Sequence, residues 1–193
     1  MVLAYFMLIS PGEIIDLIVM TLAIGFIFKD IIKIPRYVQD PITSGFDIEN
    51  FKFTCLVIAP AIILHEMAHK FVALGFGINA TFHAHYFGLL LGLFLKFINI
   101  GFIFFIPGYV SIPVADVTPL QHSIIAVAGP LMNLALWLGS SIILKRAASL
   151  TSKQRLALVI TKQINMFLFI FNMIPVPPFD GGHFISGLMQ TFF

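Results

Sequence analysis

The sequence predicts an all-α membrane protein: a polytopic bundle of about four to six transmembrane segments, with a short β-hairpin or re-entrant region between its two motif-bearing helices. Three observations predict it. Hydrophobic residues make up 59% of the 193 positions and charged residues 10%, against about 45–50% and about 25% in soluble domains. Mean hydropathy is +1.01. The apolar residues also fall into runs near the ~20 residues that a helix needs to cross a bilayer. A water-soluble chain of this size has too much surface to hide such a composition. The same figures exclude a disordered chain and a secreted disulfide scaffold.

The first apolar run spans Glu13 to Phe28. No basic residue precedes it and no small-residue cleavage site follows, so it reads as a retained helix rather than a signal peptide. Residues 29–51 are a polar connection. The second run, Phe53 to Phe76, stops around Gly75 and Gly77, as helices do at glycine. Tyr86–Ile106 is apolar enough for a further span but is interrupted by Lys96 and Asn99. From Gly101 to Pro113 the chain is aromatic and β-branched and is broken by Pro107-Gly108, which suits a short hairpin. Leu120–Leu144 and Leu156–Ile174 are the third and fourth clear helices. Asp180–Phe193 reads as a short amphipathic or re-entrant helix.

Charge excludes one class of partner. Eleven Lys+Arg against nine Asp+Glu give a net +2, with no basic stripe, so no nucleic-acid partner is expected. The single cysteine, Cys55, lies in an apolar run and reads as a small buried hydrophobe. Met67, Met132 and Met173 read as core packing, and Gly129-Pro130 as a kink that also lets helices approach closely.

The chemistry sits in Leu64-His65-Glu66-Met67-Ala68-His69-Lys70. An ionisable residue inside an apolar span is expensive and therefore marks function. His65 and His69 lie ~40° apart around the helix and ~6 Å apart along it, so their imidazoles can converge on one metal ion. Glu66 borders the same face, where it can act on a water at that metal. This is H-E-x-x-H, two ligands and a general base. A tetrahedral catalytic zinc needs a third protein ligand. The candidates toward the C-terminus are Asp116, Asp180, His83, His85, His122 and His183. Asp180 stands out, because it closes Asn172-Met-Ile-Pro175-Val-Pro177-Pro178-Phe-Asp180-Gly181-Gly182. The prolines unwind the chain after the fourth helix, and the glycines then permit a sharp turn that presents the carboxylate. His183 reads as a polar residue on a helix face, His83 and His85 as surface-loop residues, and His122 as interfacial.

The two motifs together resemble the site-2 protease family, the intramembrane zinc metalloproteases. The likeness covers roughly residues 53–192 and includes Ala128-Gly129-Pro130-Leu131-Met132-Asn133, similar to the A-G-P-x-x-N of the family's central helix. The resemblance implies one Zn2+ per chain held by His65, His69 and Asp180, with Glu66 as general base and Asn172 near the oxyanion or the substrate backbone. It implies a transmembrane protein or peptide as substrate, and the lipid bilayer as surroundings. It makes residues 1–193 a single integral-membrane metalloprotease domain, multi-pass in the cell membrane, without a PDZ or CBS appendage. Where many members carry Arg after Asp-Gly-Gly, this chain has His183.

A zinc transporter or a membrane metal-binding protein without proteolytic activity would also bury His and Asp in helices. Such a protein would carry a ladder of polar sites or repeats, whereas here the polar groups converge on one place. Lys29, Lys33, Arg36 and Lys52 flank one connection, and Lys145, Arg146, Lys153 and Arg155 flank another. The positive-inside rule puts both in the cytoplasm, with an even number of crossings between them. The resemblance implies the opposite orientation for the first.

Overall fold

Ser10, Pro11 and Glu13 start the first helix, α1 (Pro11–Phe28). The Ser10 hydroxyl accepts from the Glu13 N–H while the Glu13 carboxylate accepts from the Ser10 N–H, a reciprocal cap with proline in the first turn. The computed structural model describes residues 8–32, 34, 46–99, 106–113, 115 and 117–193. After α1 come α2 (Ile48–Gly75), β1 (Thr81–Ala84), α3 (Tyr86–Phe97), β2 (Gly108–Ser111), α4 (Pro119–Arg146), α5 (Ser152–Asn172) and α6 (Asp180–Phe192). Four of these, α1, α2, α4 and α5, are long and apolar enough to cross a membrane.

The long helices begin a few residues before their apolar runs. Asp47, Thr118 and Thr151 each accept a hydrogen bond from a backbone N–H of the following first turn, satisfying donors the helix itself cannot. Hydropathy registers the apolar stretch, while these polar caps set where the helix starts. At the other end of α2, Gly77 adopts a positive φ of 76°, a conformation glycine takes at little cost, and the chain turns toward β1.

The region between the motif helices narrows the number of spans. The apolar stretch from Tyr86 forms a helix of only 12 residues. At 1.5 Å per residue that is about 18 Å, short of the ~30 Å hydrocarbon core. The β2 strand finds its partner, among the described residues, in β1. It pairs antiparallel with β1, from Thr81 opposite Ser111 to Ala84 opposite Gly108. The first half of the hairpin expected across Pro107-Gly108, residues 100–105, lies outside the described residues. His85 is the N-cap of α3, its Nδ1 accepting from the Gly88 N–H.

α4 occupies the middle of the bundle, against α2, α5 and α6, while α1 lies on the other side of α2. Gly25 of α1 meets Cys55 of α2 so closely that a Cβ there would overlap the sulfur. Cys55 is thus a packing residue, as expected. The outer faces carry apolar side chains such as Leu56, Phe87 and Leu90, suited to lipid. The buried set, by contrast, includes Glu13, Asn50, Thr54, His65, His69, Lys70, Ser123, Asn133, Ser140 and Asn165. Lys153 on α5 lies over the Phe53 ring of α2, 5.8 Å from its centroid. The basic ends of α2 and α5 therefore share one end of the bundle, and α2 and α4 supply the even number of crossings. At that end Lys29 and Lys96 both bond Asp30, at 2.8 and 2.7 Å, and hold its carboxyl below the usual range. The Asn50 amide accepts from Ile34 N–H at 3.0 Å and donates to the carbonyls of Lys29 and Ile32, closing the end of α1.

At the opposite end, Lys70 pairs with Glu13, the two side chains 1% and 3% exposed. The same Glu13 oxygen accepts from the Phe82 N–H at 2.8 Å. Removing one member of a buried pair leaves an uncompensated charge, at a cost of about 3–5 kcal/mol, whereas removing both can be nearly neutral. Lys70→Met alone is therefore expected to lower the unfolding midpoint in detergent sharply. Glu13→Gln combined with Lys70→Met should recover most of the loss, as read by thermal denaturation.

Candidate metal centre

His65 and His69 occupy the second half of α2, on its buried face. Asp180 is the first residue of α6. The structure brings these three together: one ligand atom from each lies within 4.8 Å of the others. His65 Nε2 and His69 Nε2 are 3.1 Å apart, and Asp180 Oδ2 lies 3.1 Å from the first and 3.4 Å from the second.

Hydrogen bonding on the far side of each ring sets what those atoms are. His65 Nδ1 faces the Asn133 side-chain oxygen at 2.6 Å, and His69 Nδ1 faces the Ile125 carbonyl at 2.7 Å. Oxygens of this kind only accept, so each Nδ1 carries the proton and donates it. In a neutral imidazole the Nε2 is then a lone pair. Two lone pairs and a carboxylate oxygen thus meet at a little over 3 Å, and Asp180 Oδ2 is buried with no hydrogen-bond donor reaching it among the described residues. Three acceptors facing one another repel unless a cation lies among them. Tetrahedral zinc, with bonds of about 2.0–2.2 Å, separates its ligand atoms by about 3.3 Å. The donor set and its spacing fit zinc.

Glu66 follows His65 on α2, is partly buried, and lies within electrostatic reach of His65, His69 and Asp180. Asn172 is the last residue of α5, and from it the chain reaches Asp180 through the turns of residues 173–179. Gly181 and Gly182 correct one expectation: they belong to the first turn of α6 rather than to a sharp turn. Their lack of a side chain serves close approach, since a Cβ on either would strike the backbone of Met173 and Ile174 or of Val176 and Pro177. Of the other histidines, His183 stacks edge-on against His122, ring centroids 5.3 Å apart. His83 lies on β1, 3.8 Å from Asp16. Asp116 lies outside the described residues.

Sequence reasoning named Asn133 only as part of a motif likeness and gave the Ile125 carbonyl no part. It read Gly129 as a kink that also lets helices approach closely, without placing it at the candidate site. The residue lies inside α4 before Pro130, directly over the metal centre, where a Cβ would fall 2.6 Å from His65 Nε2 and nearer still to His69 Nε2.

A membrane-embedded helical bundle that buries a His-His-carboxylate cluster able to hold a metal ion is the class of protein these features define. The comparisons with known proteins narrow it. The sequence pattern of Peptidase family M50 matches residues 137–193. "Putative zinc metalloprotease MJ0611" of Methanocaldococcus jannaschii is 37% identical over 176 residues, covering 89% of this chain and 82% of the relative. "Putative zinc metalloprotease sll0528" of Synechocystis sp. is 26% identical over 181 residues, covering 94% of this chain but 41% of the relative. The chain belongs to peptidase family M50. No solved structure matches it.

Gly129→Ala places a methyl group among the ligand atoms. The expected outcome is loss of most of the bound metal with helix content retained, measured by elemental analysis and circular dichroism on the purified protein.

Proposed function

We propose that this chain is an intramembrane zinc metalloprotease that hydrolyses peptide bonds of transmembrane proteins or peptides. The observation that carries the reading is the convergence of three acceptor atoms, from His65, His69 and Asp180, inside a helical bundle with Glu66 beside them. Family membership and the relatives named as zinc metalloproteases support it.

His65, His69 and Asp180 hold the zinc. When bound, zinc supplies a Lewis acid that polarises a carbonyl and acidifies water to near neutral pKa. Glu66 is the general base: it takes the proton of the attacking water and returns it to the departing amine nitrogen. The Asn172 amide donates toward the oxyanion or the substrate backbone. A helical substrate hides its carbonyls in its own hydrogen bonds, so it must unwind to be cut, and an extended segment needs a strand to pair with. In the β1–β2 pair, Glu13 already occupies the outward N–H of Phe82. Pairing therefore falls to the outer edge of β2, where Val110 lies opposite Phe82 and directs its backbone groups away from β1.

Glu66→Gln is expected to retain about one zinc per chain and to lose cleavage of a transmembrane substrate in detergent. Near-wild-type hydrolysis would sink the mechanism, and zinc bound without hydrolysis in the wild type would favour a metal-binding protein. His65→Ala and Asp180→Ala are expected to lose both metal and activity. His183→Ala should keep the metal and cost at most about 10–100-fold in turnover, the range for residues that act on ligands indirectly. Stoichiometric zinc in Asp180→Ala would show that the third ligand is another residue.

A further inference from the structure

α5 buries one residue fully, and it is polar: Asn165, at 0% exposure. A buried amide costs several kcal/mol unless its hydrogen bonds are made. Those of Asn165 are made in a fixed order. Its Nδ2 donates to the Thr161 carbonyl at 2.7 Å, which turns its oxygen toward α4. That oxygen accepts from Asn133 Nδ2 at 2.8 Å. Asn133 Nδ2 also donates to the Ala61 carbonyl of α2 at 3.0 Å. With both its N–H bonds directed at acceptors, Asn133 presents its oxygen to His65 Nδ1, at 2.6 Å.

An amide is nearly symmetric in shape, so either end can face a neighbour. Were Asn133 flipped, its N–H would meet His65 Nδ1, the proton of His65 would move to Nε2, and the lone pair facing His69 and Asp180 would vanish. His69 runs no such risk, because its partner is a backbone carbonyl, which cannot flip. We infer that Asn165 is a positioning residue: together with the Ala61 carbonyl it fixes Asn133, and through Asn133 it holds His65 in the Nδ1–H form whose Nε2 can bind a metal. This rests on the reading of His65 as a zinc ligand and adds to it a determinant on a helix that carries no ligand.

The test measures zinc affinity of the detergent-purified protein by chelator competition. N165L removes the acceptor and is expected to weaken zinc binding about 10–100-fold. N133A removes the link to His65, so the relay is already broken in it. In that background, adding N165L is expected to leave the affinity unchanged. Wild-type affinity in N165L would overturn the inference. So would an equal loss in the two backgrounds, which would make Asn165 a packing residue. A readout that needs no variant is the 15N spectrum of histidine-labelled protein, in which His65 should carry its proton on Nδ1. A proton on Nε2 would overturn the inference whatever the variants do. A wild type that binds no zinc would instead sink the metalloprotease reading, and the spectrum would still decide the relay.

Discussion

The ion pair between Glu13 and Lys70 joins three elements of this structure, α1, α2 and β1. Lys70 follows His69 directly, so its ammonium is carried into the bundle by the same helix that carries the metal centre. A lone charge there would be costly in lipid or in a packed interior. Glu13 neutralises it while capping α1 through Ser10 and holding the Phe82 N–H of β1. One carboxylate thus ties together the start of α1, the end of α2 and the edge of the sheet. Each partner would be expensive alone, which makes the arrangement all-or-none. The small sheet is in this way anchored to the helix that bears His65 and His69.

The same constraint explains how each polar residue among the buried positions is held. Lipid offers no hydrogen bonds, so each polar group must be satisfied within the protein. Asn50 closes the end of α1, Ser123 donates to the Phe184 carbonyl of α6 at 2.8 Å, and Asn133 links α2, α4 and α5. Apolar residues, beyond those of the core, can face outward at no cost. Among these polar atoms, Asp180 Oδ2 is the buried side-chain oxygen left without a hydrogen-bond donor among the described residues, and it lies where two imidazole lone pairs converge. In a molecule that satisfies its buried polar groups so consistently, that exception is what a cation would resolve.

The spans and the candidate triad were legible because both rest on local signals. Apolar runs declare themselves over about 20 residues, and H-E-x-x-H is set by one helical turn. Asp180 could be singled out since prolines and glycines surround it. What could not be read was non-local. Nothing in Glu13 announces Lys70, 57 residues later. Thr81–Ala84 is too short to signal a strand and owes its form to pairing with Gly108–Ser111. Asn165 sits in an apolar helix with no motif around it, and its part emerges only when α5 lies against α4. The stretch from Tyr86 stayed open for a related reason: composition registers its hydrophobicity, but the helix ends at Phe97, too short to cross.

Small residues complete the argument, for they decide how near the ligands can come. Prolines after α5 break the helix, but breaking it does not bring Asp180 to the histidines. α6 must start close beneath the chain that leads to it, and Gly181 and Gly182 allow this by offering no Cβ to the backbone of residues 173–177. From the other side, α4 must approach α2 closely enough for the Ile125 carbonyl and Asn133 to hold the two imidazoles. Gly129, lying between those two on α4, lets that approach occur without filling the space among the ligand atoms. Transmembrane helices pack through small residues because lipid supplies little hydrophobic drive for association. Here the same residues leave open, at the point of closest approach, the volume that a metal ion would take.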